Sequence, residues 1–181
     1  CMVAIGKNAG RKTRAVISRM DQPLGDHVGN ALEVIEAIEV LKGKPGDLRD
    51  LVLELGAQLL TLAGAQSDLE PARTVLRRKL DGGQALQKLR ELIERQGGDP
   101  AIIDDPGLFP QAACHRVYAA RQSGYLAGMD TAAIGEAFLR SGGGRRRKDD
   151  LIDAGAGLIV KKRLGEAVRK GDALFDIYCA R

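Results

Sequence analysis

Pro100, Pro106 and Pro110 stand in one short stretch of the chain, with Gly97, Gly98 and Gly107 among them. A proline inside a helix removes a hydrogen bond and clashes with the preceding turn, at about 3 kcal/mol. No helix can run through this stretch, so residues 97–112 read as a surface connection between two textures. Before it, apolar residues recur at helical spacing. After it, short β-patterned runs are punctuated by glycine. The two textures point to an α+β architecture with a boundary near residue 110.

The first texture resolves into elements. Thr13–Met20 is short, β-branched and partly alternating, which predicts a strand. Asp21-Gln22-Pro23-Leu24-Gly25 supplies turn residues. A helix is expected from Gly29-Asn30 to about Lys42, with Leu32, Ile35 and Ile38 at helical spacing. Asp47 is a good N-cap for a second helix over about 48–63, with Leu51, Leu55, Leu59 and Leu62 on one face. Ser67-Asp68-Leu69-Glu70 has the capping-box pattern for a third, broken at Asp81-Gly82-Gly83. A fourth runs over about 84–96 and stops at Gly97-Gly98.

In the second texture, His115–Ala120 and Gly124–Met129 suit a hairpin around Gln122-Ser123-Gly124. Thr131–Arg140 predicts a short helix, with Gly142-Gly143-Gly144 as its C-cap. The alternative for those glycines, a phosphate loop, wants a preceding strand and a following helix. Residues 157–162, 167–168 and 173–179 read as short strands.

Composition narrows the function classes. At 181 residues the chain can bury a real core, and 44% apolar with 29% charged residues excludes wholesale disorder. Aromatics at 3% disfavour a nucleic-acid surface built on stacking. No apolar run is long enough to span a membrane. Residues 1–139 carry 17 basic against 18 acidic side chains, and residues 140–181 carry 11 against 6. The positive excess therefore gathers around Arg145-Arg146-Arg147-Lys148 and Lys161-Lys162-Arg163. Such clusters can bind phosphates or nucleic acid; Asp149, Asp150 and Asp153 favour an ordinary solvated surface. Cys1, Cys114 and Cys179 are far apart, with no CxxC or Cys/His cluster, so structural zinc is not expected. They read as incidental reduced thiols of a cytosolic protein. The alternative is a nucleophilic cysteine, for which His27 and His115 are the possible bases, without a local signature.

The turn at residues 21–25 runs straight into a helix, which exposes backbone carbonyls, and Glu36 follows about two turns inside. Carbonyls plus one carboxylate are hard oxygen ligands that suit an alkali or alkaline-earth cation. A glutamate on a solvated helix face is the other reading.

Met20-Asp21-Gln22-Pro23-Leu24-Gly25 and Val28-Gly29-Asn30-Ala31-Leu32-Glu33-Val34 with Glu36-Ala37-Ile38 resemble the signature segment of the pyrimidine-nucleoside and thymidine phosphorylases. Gly46-Asp47-Leu48, Gln96-Gly97-Gly98-Asp99, Gly142-Gly143-Gly144-Arg145, Lys148-Asp149 and Lys170-Gly171-Asp172 continue it in order. Ser18-Arg19 departs from the Thr-Asp that relatives often carry. The resemblance implies an enzyme that cleaves pyrimidine nucleosides with phosphate to free base and pentose 1-phosphate. Its phosphate loop and pyrimidine-gripping residues lie upstream of the matched part, so the chain is expected to be an inactive C-terminal part, with no catalytic or substrate-binding residue of its own. It further implies residues 1–111 as the end of an α/β phosphorylase domain and 112–181 as a C-terminal module like an α/β-hammerhead. It implies a cytoplasmic homodimer as the parent. It also implies potassium, held by the carbonyls of Leu24 and His27 and the carboxylate of Glu36, weakly or not at all here. The rival reading is a non-catalytic binding module with a basic C-terminal surface.

Overall fold

The computed structural model describes residues 1–180, in two compact units. One unit comprises residues 1–19 and 40–89; the other comprises residues 20–39 and runs from Arg90 to the end of the chain. This differs from a division at residues 111 and 112. Contacts remote in sequence put residues 20–39 with the β-rich half.

The first unit is helical: α1 (Met2–Asn8), α3 (Asp47–Leu62) and α4 (Leu69–Asp81) lie in it, with the start of α5 (Gln84–Arg95). The Arg49 guanidinium at the start of α3 pairs with Asp81 at the end of α4, so the two helices run antiparallel. Leu53 and Ala57 of α3 and Ala72 and Leu80 of α4 are buried. Small residues allow the close approach: a Cβ at Gly56 would come within 2.8 Å of Leu76 Cδ1. Arg73 adds a bond from Nε to Glu54 at 2.9 Å.

The expected capping box does not form. The N-cap of α4 is Asp68, which makes no side-chain cap bond. Glu70 is thereby placed in the first turn, where it pairs with Arg73. Nor do residues 13–20 form a strand. A strand needs a neighbour to take its backbone bonds, and none of the described strands pairs with these residues. Ile17 is almost fully exposed, and Arg14 donates to Gln58 and Thr61 of α3 instead.

The second unit is built on a four-stranded antiparallel sheet in the order β1 (His27–Gly29), β4 (Gly157–Val160), β6 (Ala173–Cys179), β2 (Cys114–Ala119). β3 (Gly124–Tyr125) and β5 (Ala167–Val168) form a separate ribbon. The expected hairpin between 115–120 and 124–129 is therefore corrected. β2 takes β6 as its partner, with Cys114 opposite Cys179, and β3 takes β5. α2 (Asn30–Leu41) follows β1 directly, and α6 (Thr131–Ser141) lies beside β4 and β6. Asp130 caps α6 by accepting the Ala133 N–H. Gly142, in the left-handed region at φ 99°, ends the helix as a C-cap, as its position in the sequence predicts. Residues 97–112 carry only two single 3₁₀ turns, Pro100–Ile103 and Pro106–Leu108. Ile103, Ala156, Leu158 and Val160 are buried.

Among the described residues, no helix is long and apolar enough to cross a membrane.

Candidate cation site

The site begins with a tight turn that two remote side chains hold. Gln22 Oε1 accepts the Leu164 N–H at 3.0 Å, and Arg163 donates to the Gly25 carbonyl at 2.5 Å. Gly25 has φ +71° and faces the Glu36 carboxylate so closely that any Cβ would collide with it. Both the conformation and the space require glycine there.

Glu36 is 3% exposed, although it is an acid on an amphipathic helix. Its two oxygens accept the backbone N–H groups of Asp26 at 2.8 Å and His27 at 3.1 Å. These donors define two successive peptide planes, each gripped on both edges. In the first, the N–H of Asp26 meets Glu36 and the carbonyl of Gly25 meets Arg163. In the second, the N–H of His27 meets Glu36 and the carbonyl of Asp26 accepts from Val160 at 2.7 Å. A buried carboxylate needs such donors to offset its desolvation.

The sequence places the Glu36 carboxylate near the carbonyls of Leu24 and His27. The structure brings the turn and the glutamate together, and the groups that meet the carboxylate are peptide N–H groups. The Leu24 and His27 carbonyls belong to the peptides on either side of the clamped pair. The Asp26 carbonyl accepts from Val160 and so faces β4, and because successive carbonyls alternate along an extended strand, the His27 carbonyl is turned away from β4. His27 Nδ1 lies 3.5 Å from Glu36 Oε1 and is buried without a hydrogen-bond partner. The donor set is oxygen-based and suits an alkali cation in kind. One carboxylate and two carbonyls fall short of a full shell. Among the described residues, no three His, Cys, Asp or Glu side chains converge as metal ligands.

Elsewhere the structure answers the remaining questions of chemistry. Cys114 and Cys179 are joined as a disulfide with Cα atoms 5.3 Å apart, and Cys1 is free and exposed. The expectation of three unpaired thiols is thus corrected: separation along the chain says nothing about register across a sheet. His115 contacts Asp176 at 3.2 Å, and Lys161 reaches the other oxygen at 3.1 Å. Burial disfavours ionisation of Asp176, but hydrogen bonds and charge from Lys161 and His115 prevail and hold its carboxyl below the ordinary range. In the basic run, Arg146 pairs with Glu136. The Asp150 carboxylate accepts the N–H groups of Arg147 and Arg146, which hold its pKa down. Sequence reasoning missed both the Asp176 cluster and the Arg163 clamp; each joins segments far apart in the chain, and no local motif marks them.

Residues 125–181 match the family described as the pyrimidine nucleoside phosphorylase C-terminal domain. Residues 1–86 match the glycosyl transferase family a/b domain. Pyrimidine-nucleoside phosphorylases of Staphylococcus aureus and Bacillus subtilis are each 45% identical to the chain over 181 residues. The chain is similar to pyrimidine-nucleoside phosphorylases along its whole length. The phosphorylase of Staphylococcus haemolyticus is 44% identical. These alignments cover 99% of the chain and 42% of each relative, so the chain spans about two fifths of the length of the phosphorylases it matches.

Proposed function

We propose that this chain acts as the C-terminal part of a cytoplasmic, homodimeric pyrimidine-nucleoside phosphorylase, and that alone it is inactive. The reaction is phosphorolysis of a pyrimidine nucleoside to the free base and a pentose 1-phosphate. The observation that carries the reading is the 45% identity extending along 99% of the chain. The role of the chain's own residues follows from the clamp. Glu36, Arg163 and Val160 hold the peptides of residues 25–27 in one arrangement. The Leu24 and His27 carbonyls are thereby fixed on either side of it. Potassium, when bound there, supplies a positive centre that the carbonyls of Leu24 and His27 and the carboxylate of Glu36 would hold. Upstream segments of the parent would complete its shell and bind phosphate and nucleoside. The desolvated cleft formed there would align the phosphate with the anomeric carbon.

The test has two parts. The purified chain is assayed with uridine or thymidine and phosphate, and no turnover is expected. It is then co-expressed with the part of the Bacillus subtilis phosphorylase that it does not match, and phosphorolysis should return. Turnover by the chain alone would overturn the reading of inactivity. In the reassembled enzyme, Glu36→Gln should weaken the dependence of rate on potassium. An unchanged potassium response would reduce Glu36 to a structural clamp.

A further inference from the structure

Cys114 opens β2 and Cys179 closes β6, and the ladder sets them opposite each other. Among the described residues β2 is an edge strand, paired with β6 alone. The bond between these cysteines, 65 residues apart, closes a loop containing β2 to β6 and α6. Both cysteines are partly exposed, so a small thiol or disulfide can reach them. The next residue carries the consequence inward. The Ala180 N–H donates to the Ser141 carbonyl at the end of α6. Ala180 Cβ also packs where Gly142 has no side chain of its own. The following residue in that turn, Gly143, accepts a bond from the Asn30 side chain at 3.1 Å. Asn30 is the first residue of α2, the helix that carries Glu36. A continuous line of bonds therefore links the end of β6 to the start of α2.

The geometry points to a reversible redox latch: Cys114 and Cys179 close on a disulfide oxidant and thereby order the β6 end and the Gly142–Gly144 turn against α2. One thiolate attacks glutathione disulfide, forming a mixed disulfide and releasing one glutathione thiolate. The second cysteine thiolate attacks the protein sulfur of that mixed disulfide and releases the other. The two cysteine protons end on the two glutathiones, so the pair is oxidised by two electrons as the glutathione disulfide is reduced. A reducing compartment keeps the latch open, and a rise in disulfide oxidant closes it. Chain-entropy arithmetic for this loop puts the closed form ahead by on the order of 10³-fold in folded-to-unfolded ratio.

The experiment uses the full chain with Cys1→Ser, so that the pair alone titrates. After glutathione disulfide, the denatured protein should show no free thiol and a mass lower by two hydrogens. After dithiothreitol, both thiols should return. Amide exchange at Ala180, Gly143 and the edge of β2 should then speed by tenfold or more. The same chain with Cys114→Val or Cys114→Ser should exchange like the reduced form under both conditions. Glutathione adducts in place of the internal bond, or both thiols left free, would overturn the latch. Equal exchange at these amides in the two states would overturn it, as would a redox response that survives loss of Cys114.

Discussion

The helical unit and the sheet unit are held by contacts of different reach. In the first, side-chain bonds join residues 19, 32 and 47 apart: Arg73 with Glu54, Arg49 with Asp81, and Arg14 with Thr61. In the second, Asn30 meets Gly143, Arg163 meets Gly25 and Leu164 meets Gln22, across 113, 138 and 142 residues. The α3–α4 pair can form from a hairpin with a short loop. The sheet needs both ends of the chain before β1 has a partner. Long loops cost little more than shorter ones in stability, but they slow the search. The difference teaches that the candidate cation site depends on the longer-range unit, although all three of its proposed ligands lie within thirteen residues of each other.

The contrast breaks most visibly at Gly157. A side chain there meets the Val28 carbonyl and lies 2.8 Å from Leu32 Cδ1 and 3.2 Å from Gly29 Cα. Gly157→Val should cost about 3 kcal/mol or more, because backbone and not a flexible side chain must move. Denaturant unfolding should show the sheet lost while the α3–α4 helical signal remains. An unchanged sheet transition would mean that β1 is dispensable.

The opposite break is Leu53→Ala. It empties a buried position of α3 and should cost about 2–3 kcal/mol. Amide protection should fall in α3 and α4 and stay constant in β4 and β6. Equal losses in both units would show one cooperative body in place of two.

Glu36→Gln sharpens the comparison within the sheet unit. The amide keeps one acceptor for two peptide donors, so one buried N–H loses its bond at about 1–2 kcal/mol. Exchange of the Asp26 or the His27 amide should accelerate, and that of Leu158 should not. Protection unchanged at both amides would mean that the turn stands without the glutamate.

Asp176 gives the smallest effect, visible only in acid. Its carboxyl is held below the ordinary range in the folded state, so the unfolded chain binds the proton first as pH falls. The stabilisation is complete above about pH 4 and is lost as pH drops through the lowered value. Asp176→Asn should flatten the acid limb of stability against pH. Identical limbs in variant and parent would remove Asp176 from the pH response.

Much of this molecule was legible from residues alone. The helical spacing over residues 48–63, the break at Gly82-Gly83, and the left-handed cap at Gly142 are local instructions, although the face that α3 buries is that of Leu53 and Ala57, while Leu55 and Leu59 of the expected apolar face are exposed. Helix bonds close between residues four apart, so the sequence in the window contains the whole interaction. The motif from Asp21 through Val34 marked the family and brought Leu24, His27 and Glu36 to notice. The tertiary structure decided the rest. It left Thr13–Met20 unpaired despite its β-branched residues and made a strand of His27–Gly29, which has no strand pattern. It gave β2 to β6, and so brought Cys114 to Cys179. It also turned a glutamate from an ordinary helix face into a buried acceptor for two peptide N–H groups. In each of these cases the deciding partner lies elsewhere in the chain or in the backbone, where residue spacing carries no record of it.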